Sequence, residues 1–294
     1  MSADHGSQAR QRIQKKSGNR VRRGYEILTE DGPLEFAAAS IKYGFGRLPE
    51  AQQLRLQLVE RRTRHVISGN VVSDPLSYIY INPVEVQYVT PVSKQTPVAK
   101  PDPSDLQQCI FDIPYGTFGK RKRVGSVIGG DWDRKETEFS DVFIYDSFEK
   151  HFIDGVPWEE TQYVQRVAEF YEERDKFKGY DSFEEFQANR LPFLDDLYKK
   201  IASGKYRTQL ELGGSIFNEL TVNIGRDGEI YFNSNGAHRL TMSKLAGVDQ
   251  IPALVMVRHP EWQDRRALIR NCKYRSHPIP ADEDLTHPDI RKVL

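Results

Sequence analysis

The stretch YFNSNGAHRLTMSKLAGVDQIPALVMV, residues 231–257, carries the clearest structural signals in this chain of 294 residues. It opens at the end of an apolar run, which the polar turn NSNG follows. The segment His238–Ala246 has apolar residues at helical spacing, and Gly247 stands where a helix C-terminal cap is expected. The apolar run Ala253–Val257 is typical of a buried strand. The stretch therefore predicts a strand, a turn, a helix and a second strand.

Regular patterns continue on both sides of this stretch. Residues 219–232 read ELTVNIGRDGEIYF, two apolar-alternating runs joined at Arg226-Asp227-Gly228, and the Asp-Gly pair predicts a β-hairpin. Ser182 with Glu185 three residues later is typical of a capping box at a helix start. The other predicted elements are strands near Ile79–Ile81, Val84–Tyr88 and Val142–Tyr145, and helices at 49–64, Glu159–Phe177, Phe193–Ala202 and Pro260–Ile269.

Composition excludes several classes of protein. Acidic and basic residues balance at 42 each, which argues against a protein held to DNA or a membrane by its whole surface. Cys109 and Cys272 lie far apart and form no CxxC pair, so we expect no zinc, haem or disulfides. No apolar run approaches the roughly 18 residues of a membrane span. We expect a soluble, cytoplasmic protein without a membrane partner.

The chain divides into four predicted segments. Residues 1–24 hold seven Lys or Arg and little to bury, which is typical of a disordered basic arm. Residues 25–103 form an α/β region whose proline-rich end, 91–103, is a predicted linker. Residues 104–258 combine a helical extension with a core domain, and 259–294 form a helix and a tail.

Two charged clusters leave alternatives open. The basic segment Lys120–Arg123 lies among glycines, but its spacing matches no phosphate-loop motif, so an exposed basic hairpin is favoured over a phosphate loop. Four acids within about a dozen residues suggest a divalent-ion site, although solvated turns explain them better because the calcium-loop pattern is absent. These acids are Asp131, Asp133, Glu138 and Asp141.

The turn Asn235-Gly236-Ala237-His238-Arg239 is the predicted anion site. Glycine permits close backbone approach, and the helix N-terminus that follows offers unpaired amides and a partial positive charge. Arg239 adds a forked cationic donor and His238 a further hydrogen bond. The structural alternatives are a turn glycine, a histidine bonded to backbone, and Arg239 paired with Glu219 or Glu229.

The same turn resembles the signature of the ParB/sulfiredoxin-like superfamily. There, a Gly-x-(His/Arg)-Arg turn opens a helix that ends in Leu-x-Gly, and an Ile-Pro-x-x-Val strand follows. The resemblance covers Leu191–Val257. It implies an α+β fold with a mixed sheet and helices in the C-terminal half, preceded by a mixed α/β region that the resemblance leaves unassigned.

In nucleotide-binding members of the superfamily, the resemblance implies that this turn holds the phosphates of ATP or CTP, with Mg²⁺. Gly236 would admit the phosphate, and His238 and Arg239 would contact it. Ala237 stands where sulfiredoxins carry a cysteine, so reduction of sulfinic acids is not expected. The short remainder after Val257 argues against a chromosome-partition role.

Two functions remain in competition. The first is a nucleotide-dependent phosphotransferase or NTP hydrolase, for which Glu211, Glu219 and Glu229 are candidate general bases and Lys199 or Lys200 is a candidate to reach a base or phosphate. The second is a non-catalytic module that binds a nucleotide or a nucleic acid, assisted by the basic arm and Lys120–Arg123. A nuclease is less favoured, because no metal-binding motif of that kind is present.

Overall fold

A mixed six-stranded sheet forms the centre of the structure. The computed structural model describes residues 76–91, 118, 124–174, 176–214 and 216–294, all within the unit Asn70–Leu294. The strands are β1 Ile79–Ile81, β2 Tyr88–Val89, β3 Ser126–Val127, β4 Leu220–Ile224, β5 Ile230–Phe232 and β6 Ile251–Arg258. Their spatial order is β1-β6-β4-β5-β2, and β3 also pairs with β6. Since β4 occupies one side of β6, β1 and β3 share the other.

The predicted hairpin is confirmed. β4 and β5 pair antiparallel, with Val222 opposite Phe232, and the turn between them holds Gly228 at φ 96°. β6 then lies parallel to β4 on its other side. Every residue of β4 and of β6 is buried, so both faces of the sheet are covered here. A parallel pair at the centre of a sheet is normally buried on both faces in this way.

Six helices surround the sheet in the described part of the chain. They are α1 Phe143–Phe152, α2 Gln162–Glu173, α3 Phe183–Ala202, α4 Ala237–Leu245, α5 Pro260–Tyr274 and α6 Pro288–Arg291. α4 packs against β4, α1 and α3, which places its N-terminus where sheet and helices meet. The predicted order of strand, strand, helix and strand around residues 219–258 is confirmed. None of the described helices is both long and apolar enough to cross a bilayer.

The two helices predicted at Ser182 and at Phe193–Ala202 are one continuous helix, α3. The Ser182 hydroxyl accepts a hydrogen bond from the Glu185 amide at 3.1 Å, as the capping-box pattern predicts. Pro192 lies inside the helix on its exposed side, so the hydrogen bond that it cannot donate is missing at the solvent face. Buried side chains before and after the proline, such as Phe186 and Leu194, pack into the same core and keep the helix continuous.

The strand predicted at Val142–Tyr145 is wrong, because Phe143 begins α1. Ile144 and Phe148, four residues apart, are both buried, which is the helical spacing that a four-residue apolar run conceals. Two other bounds differ from prediction. α2 is shorter than predicted at both ends, and the strand expected at Val84–Tyr88 is a 3-10 turn at Pro83–Glu85 followed by β2.

Several predictions fall outside the described residues. They are the basic arm 1–24, the helix at 49–64, the linker from 92 to 103, Cys109 and the basic segment Lys120–Arg123. Cys272 is described and is a free thiol. The four segment boundaries proposed from the sequence remain predictions.

Candidate functional site

The NSNG turn is fastened to β4 by a ladder of hydrogen bonds. The amide of Asn233 donates to the carbonyl of Thr221 at 3.0 Å, and the amide of Thr221 donates to the carbonyl of Asn235 at 3.1 Å. The Thr221 hydroxyl accepts from the Asn235 amide at 3.0 Å, and the Asn235 side chain donates to the carbonyl of Phe217 at 2.8 Å. These bonds hold the turn, and the helix start that follows it, in a single position.

Gly236 is required by the backbone of this turn. Its φ of 90° lies in the left-handed region, and a Cβ added here would come within 2.9 Å of the Leu220 Cα. The glycine therefore allows β4 and the start of α4 to approach each other. No side chain caps the N-terminus of α4, and the amides of Ala237, His238 and Arg239 have no partner among the described residues. Those amides are suited to an anion.

Arg239 is held by a buried carboxylate. Its Nη1 donates to Oε1 of Glu219 and, at 3.1 Å, to the hydroxyl of Tyr206, while Nη2 donates to the carbonyl of Asn218 at 2.6 Å. Glu219 has no exposed surface and also accepts from the Tyr206 hydroxyl and the Gln209 amide. The pairing with Glu219 that the sequence left open is thus present, and contact of Arg239 with a phosphate stays a prediction.

His238 lies between aromatic rings. Its Nε2 is 3.3 Å from the hydroxyl of Tyr163, and its ring centroid is 5.2 Å from that of Phe148. Burial lowers the pKa of His238 well below its ordinary value, and the neighbouring Lys178 and Arg190 lower it further. The imidazole is therefore neutral near pH 7 unless an anion binds beside it.

The three candidate general bases are not brought together. Glu219 is enclosed as described above. Glu229 precedes β5, at the end opposite the turn, and pairs with Lys135. Glu211 is exposed and accepts from the Thr208 amide at 2.6 Å, closing a local turn. As the structure stands, these carboxylates have local structural partners, and a catalytic role for any of them stays a prediction.

A cleft of about 650 Å³ opens beside the turn, between α3, the segment 203–214 and the start of α4. Five of its lining side chains are permanent cations, and no Asp or Glu is among the lining residues that the structure describes. The cations are Arg190, Lys200, Lys205, Arg207 and Arg239. Only Arg239 forms an ion pair with a described residue. The other four have no ion-pair partner among the described residues, and this excess of positive charge makes the cleft attractive to anions.

Apolar side chains line the same cleft. Phe193 is 50% exposed and Leu212 is 55% exposed, and Leu197 lies with them along the wall. The guanidinium of Arg190 lies 4.9 Å from the centroid of the Phe193 ring, a cation–π contact at the cleft surface. A ligand with both an anionic and a flat or apolar part would use both kinds of surface.

Sequence reasoning missed most of this cleft. Arg190, Phe193, Leu197 and Lys200 recur at intervals of three and four residues, which places them on one stripe of a helix. Splitting α3 at Pro192 concealed that stripe. Of the cleft lysines, Lys200 was anticipated, whereas its neighbour Lys199 is exposed outside the lining.

The acidic cluster predicted around residue 131 is partly used within the protein. Asp133 accepts hydrogen bonds from Arg226, and the ion pair lowers the pKa of its carboxyl. Among the described residues, no group of three or more His, Cys, Asp or Glu side chains is arranged to hold a metal ion.

Comparisons of the whole chain with protein-family models, with curated proteins and with solved structures returned no match. The geometry of the turn and cleft therefore provides the information about function.

Proposed function

We propose that this protein binds a phosphate-bearing small molecule, with a nucleotide as the favoured class, in the cleft beside the NGAHR turn. The observation that carries the proposal is the charge of the cleft. Four cations without a described ion-pair partner converge there, next to the unpaired amides that begin α4. Anions bind at such helix N-termini because amide donors and the helix dipole act together.

The size of the cleft favours a small molecule over a nucleic-acid strand. Its volume of about 650 Å³ lies within the range of about 300–1,000 Å³ usual for small-ligand sites. The exposed ring of Phe193 beside Arg190 offers a face for a nucleobase, whose stacking on an aromatic ring is worth about 1–3 kcal/mol. The resemblance of Leu191–Val257 to the ParB/sulfiredoxin-like superfamily supports the same ligand class.

Mg²⁺ finds no charged protein ligand among the described lining residues. Magnesium is usually bound through one or two carboxylates together with substrate phosphates, and the lining includes neither Asp nor Glu. A Mg²⁺ ion entering with ATP or CTP would depend on the nucleotide phosphates. For this reason we propose nucleotide binding as the function. Phosphotransfer or hydrolysis would additionally require a general base.

Nucleotide binding is tested by thermal unfolding with ATP or CTP, each with and without Mg²⁺. A ligand that binds only the folded state raises the melting temperature, and the increase grows with the logarithm of the ratio of its concentration to its Kd. We expect an increase for the wild type, most of which is lost in Lys200→Met. Lys199→Met is the matched control, since Lys199 is the adjacent exposed lysine on α3 and lies outside the cleft.

The proposal fails if neither nucleotide shifts the wild type, or if the Lys200 and Lys199 variants respond equally. Release of free phosphate or nucleoside diphosphate in the same samples separates an enzyme from a binding module. Arg239→Ala is unsuitable as a probe of binding, because it would leave Glu219 buried without its cation.

A further inference from the structure

A second group of basic side chains lies at the inner wall of the cleft, where α2, α3 and α4 meet. Arg190 of α3 and His238 of α4 both line the cleft. The hydroxyl of Tyr163, a residue of α2 with no exposed surface, is 3.3 Å from His238 Nε2. The charge of Arg190 also acts on this hydroxyl and opposes the rise of its pKa that burial causes. The Nε of Arg190 is buried and has no hydrogen-bond partner among the residues that the structure describes. A donor is therefore buried here without an acceptor.

Lys178 adds a further cation to this group from the turn between α2 and α3. Its φ of 49° is in the left-handed region, which is uncommon for a residue other than glycine and often marks a functional position. Its ammonium is 5.5 Å from the centroid of the Phe177 ring and forms no ion pair with a described residue. A half-buried amine with no carboxylate partner among the described residues favours a ligand that supplies the counter-charge.

We propose that Lys178, Arg190, His238 and Tyr163 form a pocket for a doubly charged oxyanion, such as a phosphate group, and that the pocket takes up a proton when the oxyanion binds. The inference rests on the proposed function, because it assigns the inner end of the same cleft to the phosphate of the ligand. The proton moves from solvent to Nζ of Lys178, or to the imidazole of His238. No bond of the ligand is broken.

The electrostatics of the pocket support proton uptake. Burial, and next the charge of Arg190, lowers the pKa of Lys178 to about 7. Arg190 from α3 lowers the pKa of both residues. The Tyr163 hydroxyl and Arg239 from α4 also face His238, and the charge of Arg239 is paired with Glu219. Among the described residues, no carboxylate contributes to the pKa of Lys178 or of His238. A bound dianion would favour the charged form of both and raise both pKa values.

The test is calorimetric titration with inorganic phosphate at about pH 8.5, well above the second pKa of phosphoryl groups, which is about 6. At that pH, phosphate is a dianion and Lys178 is mostly neutral. Titrations in two buffers of different ionisation enthalpy report the number of protons taken up. We expect about one proton for the wild type, because a Lys178 pKa raised toward its ordinary value of 10.5 would charge the amine.

Lys178→Met should weaken phosphate binding about tenfold or more and abolish the proton uptake, because it removes a charge-assisted contact and the titrating amine. It should also raise the melting temperature of the free protein, because a desolvated cation is removed. Lys176→Met is the matched control, since Lys176 belongs to the same turn, is exposed and pairs with Asp181. That variant should bind phosphate as the wild type does.

The inference is overturned if phosphate does not bind, if its heat is the same in both buffers, or if Lys178→Met retains the uptake. These outcomes are separable from failure of the proposed function. If the pocket were disproved, an increase in melting temperature with nucleotide that depends on Lys200 would still support anion binding in the cleft.

Discussion

At the scale of single residues, Gly236 and Arg239 perform structural tasks that the sequence motif alone does not reveal. The glycine removes a steric conflict with Leu220, and the arginine neutralises Glu219 inside the protein. Both residues also remain beside the cleft. Substitution at either would disturb folding and binding together, so a loss of binding there would not by itself identify a ligand contact.

Gly236→Ala should be much more destabilising than Gly204→Ala. Both glycines have positive φ, 90° and 72°, which costs an alanine about 1–2 kcal/mol. Only at position 236 would the new Cβ meet backbone, 2.9 Å from the Leu220 Cα, adding about 1–3 kcal/mol of overpacking. Urea unfolding measures the difference. Equal losses for the two variants would show that the contact with Leu220 is relieved by a small shift.

At the scale of elements, α6 shows how a four-residue helix near the end of the chain is held in place. Asp289 of α6 has no exposed surface. It accepts two hydrogen bonds from Arg258 of β6, at 2.8 and 2.7 Å, and one from Trp262 of α5, and it pairs with Arg266 of α5. These charges lower the pKa of Asp289 far below its usual range. One carboxylate therefore joins three elements.

Asp289→Asn should cost about 3–5 kcal/mol, because it leaves Arg258 and Arg266 buried without their anion. Asp282→Asn is the control, since Asp282 is exposed in the same tail and should change stability by less than about 0.5 kcal/mol. Urea unfolding measures both. If the two variants were equally stable, the α6 contact would contribute little.

The elements also show where local patterns fail. The apolar periodicity of α4 and β6 and the Asp-Gly turn were sufficient to predict these elements, because apolar spacing and turn chemistry agree there. The patterns at Pro192 and at Val142–Tyr145 gave wrong predictions. Local rules favour a helix break at Pro192 and a strand at Val142–Tyr145. Packing against the shared core prevails at both sites.

At the scale of the whole molecule, several partly buried bases have pKa values below their ordinary ones. Burial lowers the pKa of His238 and of His287, and it lowers the pKa of Lys178 to about 7 and of Lys244 to about 8. His287 accepts from the Asp289 amide through Nδ1, which leaves Nε2 to donate to the carbonyl of Gly228. Protonation of His287 would end that acceptance and disturb the start of α6.

Stability should fall as the solution is acidified. Each histidine has a folded pKa below its unfolded value of 6.5, so its contribution is complete above pH 6.5 and is lost as pH falls toward the folded pKa. Lys178 and Lys244 also make stability fall as pH falls, because their folded pKa values of about 7 and about 8 lie below the unfolded value of 10.5. Their contribution is lost as pH falls from 10.5 to about 7 to 8. We expect urea midpoints to rise from about pH 5.5 to about pH 9, with at most about 1.4 kcal/mol per pH unit for each proton.

His287→Gln should flatten this slope below pH 6.5, whereas His277→Gln should not, because His277 is exposed. Asp284, Asp289 and Arg266 also face His287, and the two carboxylates oppose the effect of burial on its pKa. A midpoint independent of pH between about 5.5 and 7.5 would contradict the expectation that the histidines are buried in their neutral form.

The sequence by itself determined the hairpin, the helix after the NSNG turn, the strand after it and the glycine position, since turn chemistry and apolar period are local properties. Only the tertiary structure decided what the charged residues do. It paired Arg239 with Glu219 and left Arg190, Lys200, Lys205 and Arg207 around a cleft. The physical reason is that counter-charges are assigned by distance in space, and residues 190, 207 and 239 are brought together only when α3 and α4 pack on each other.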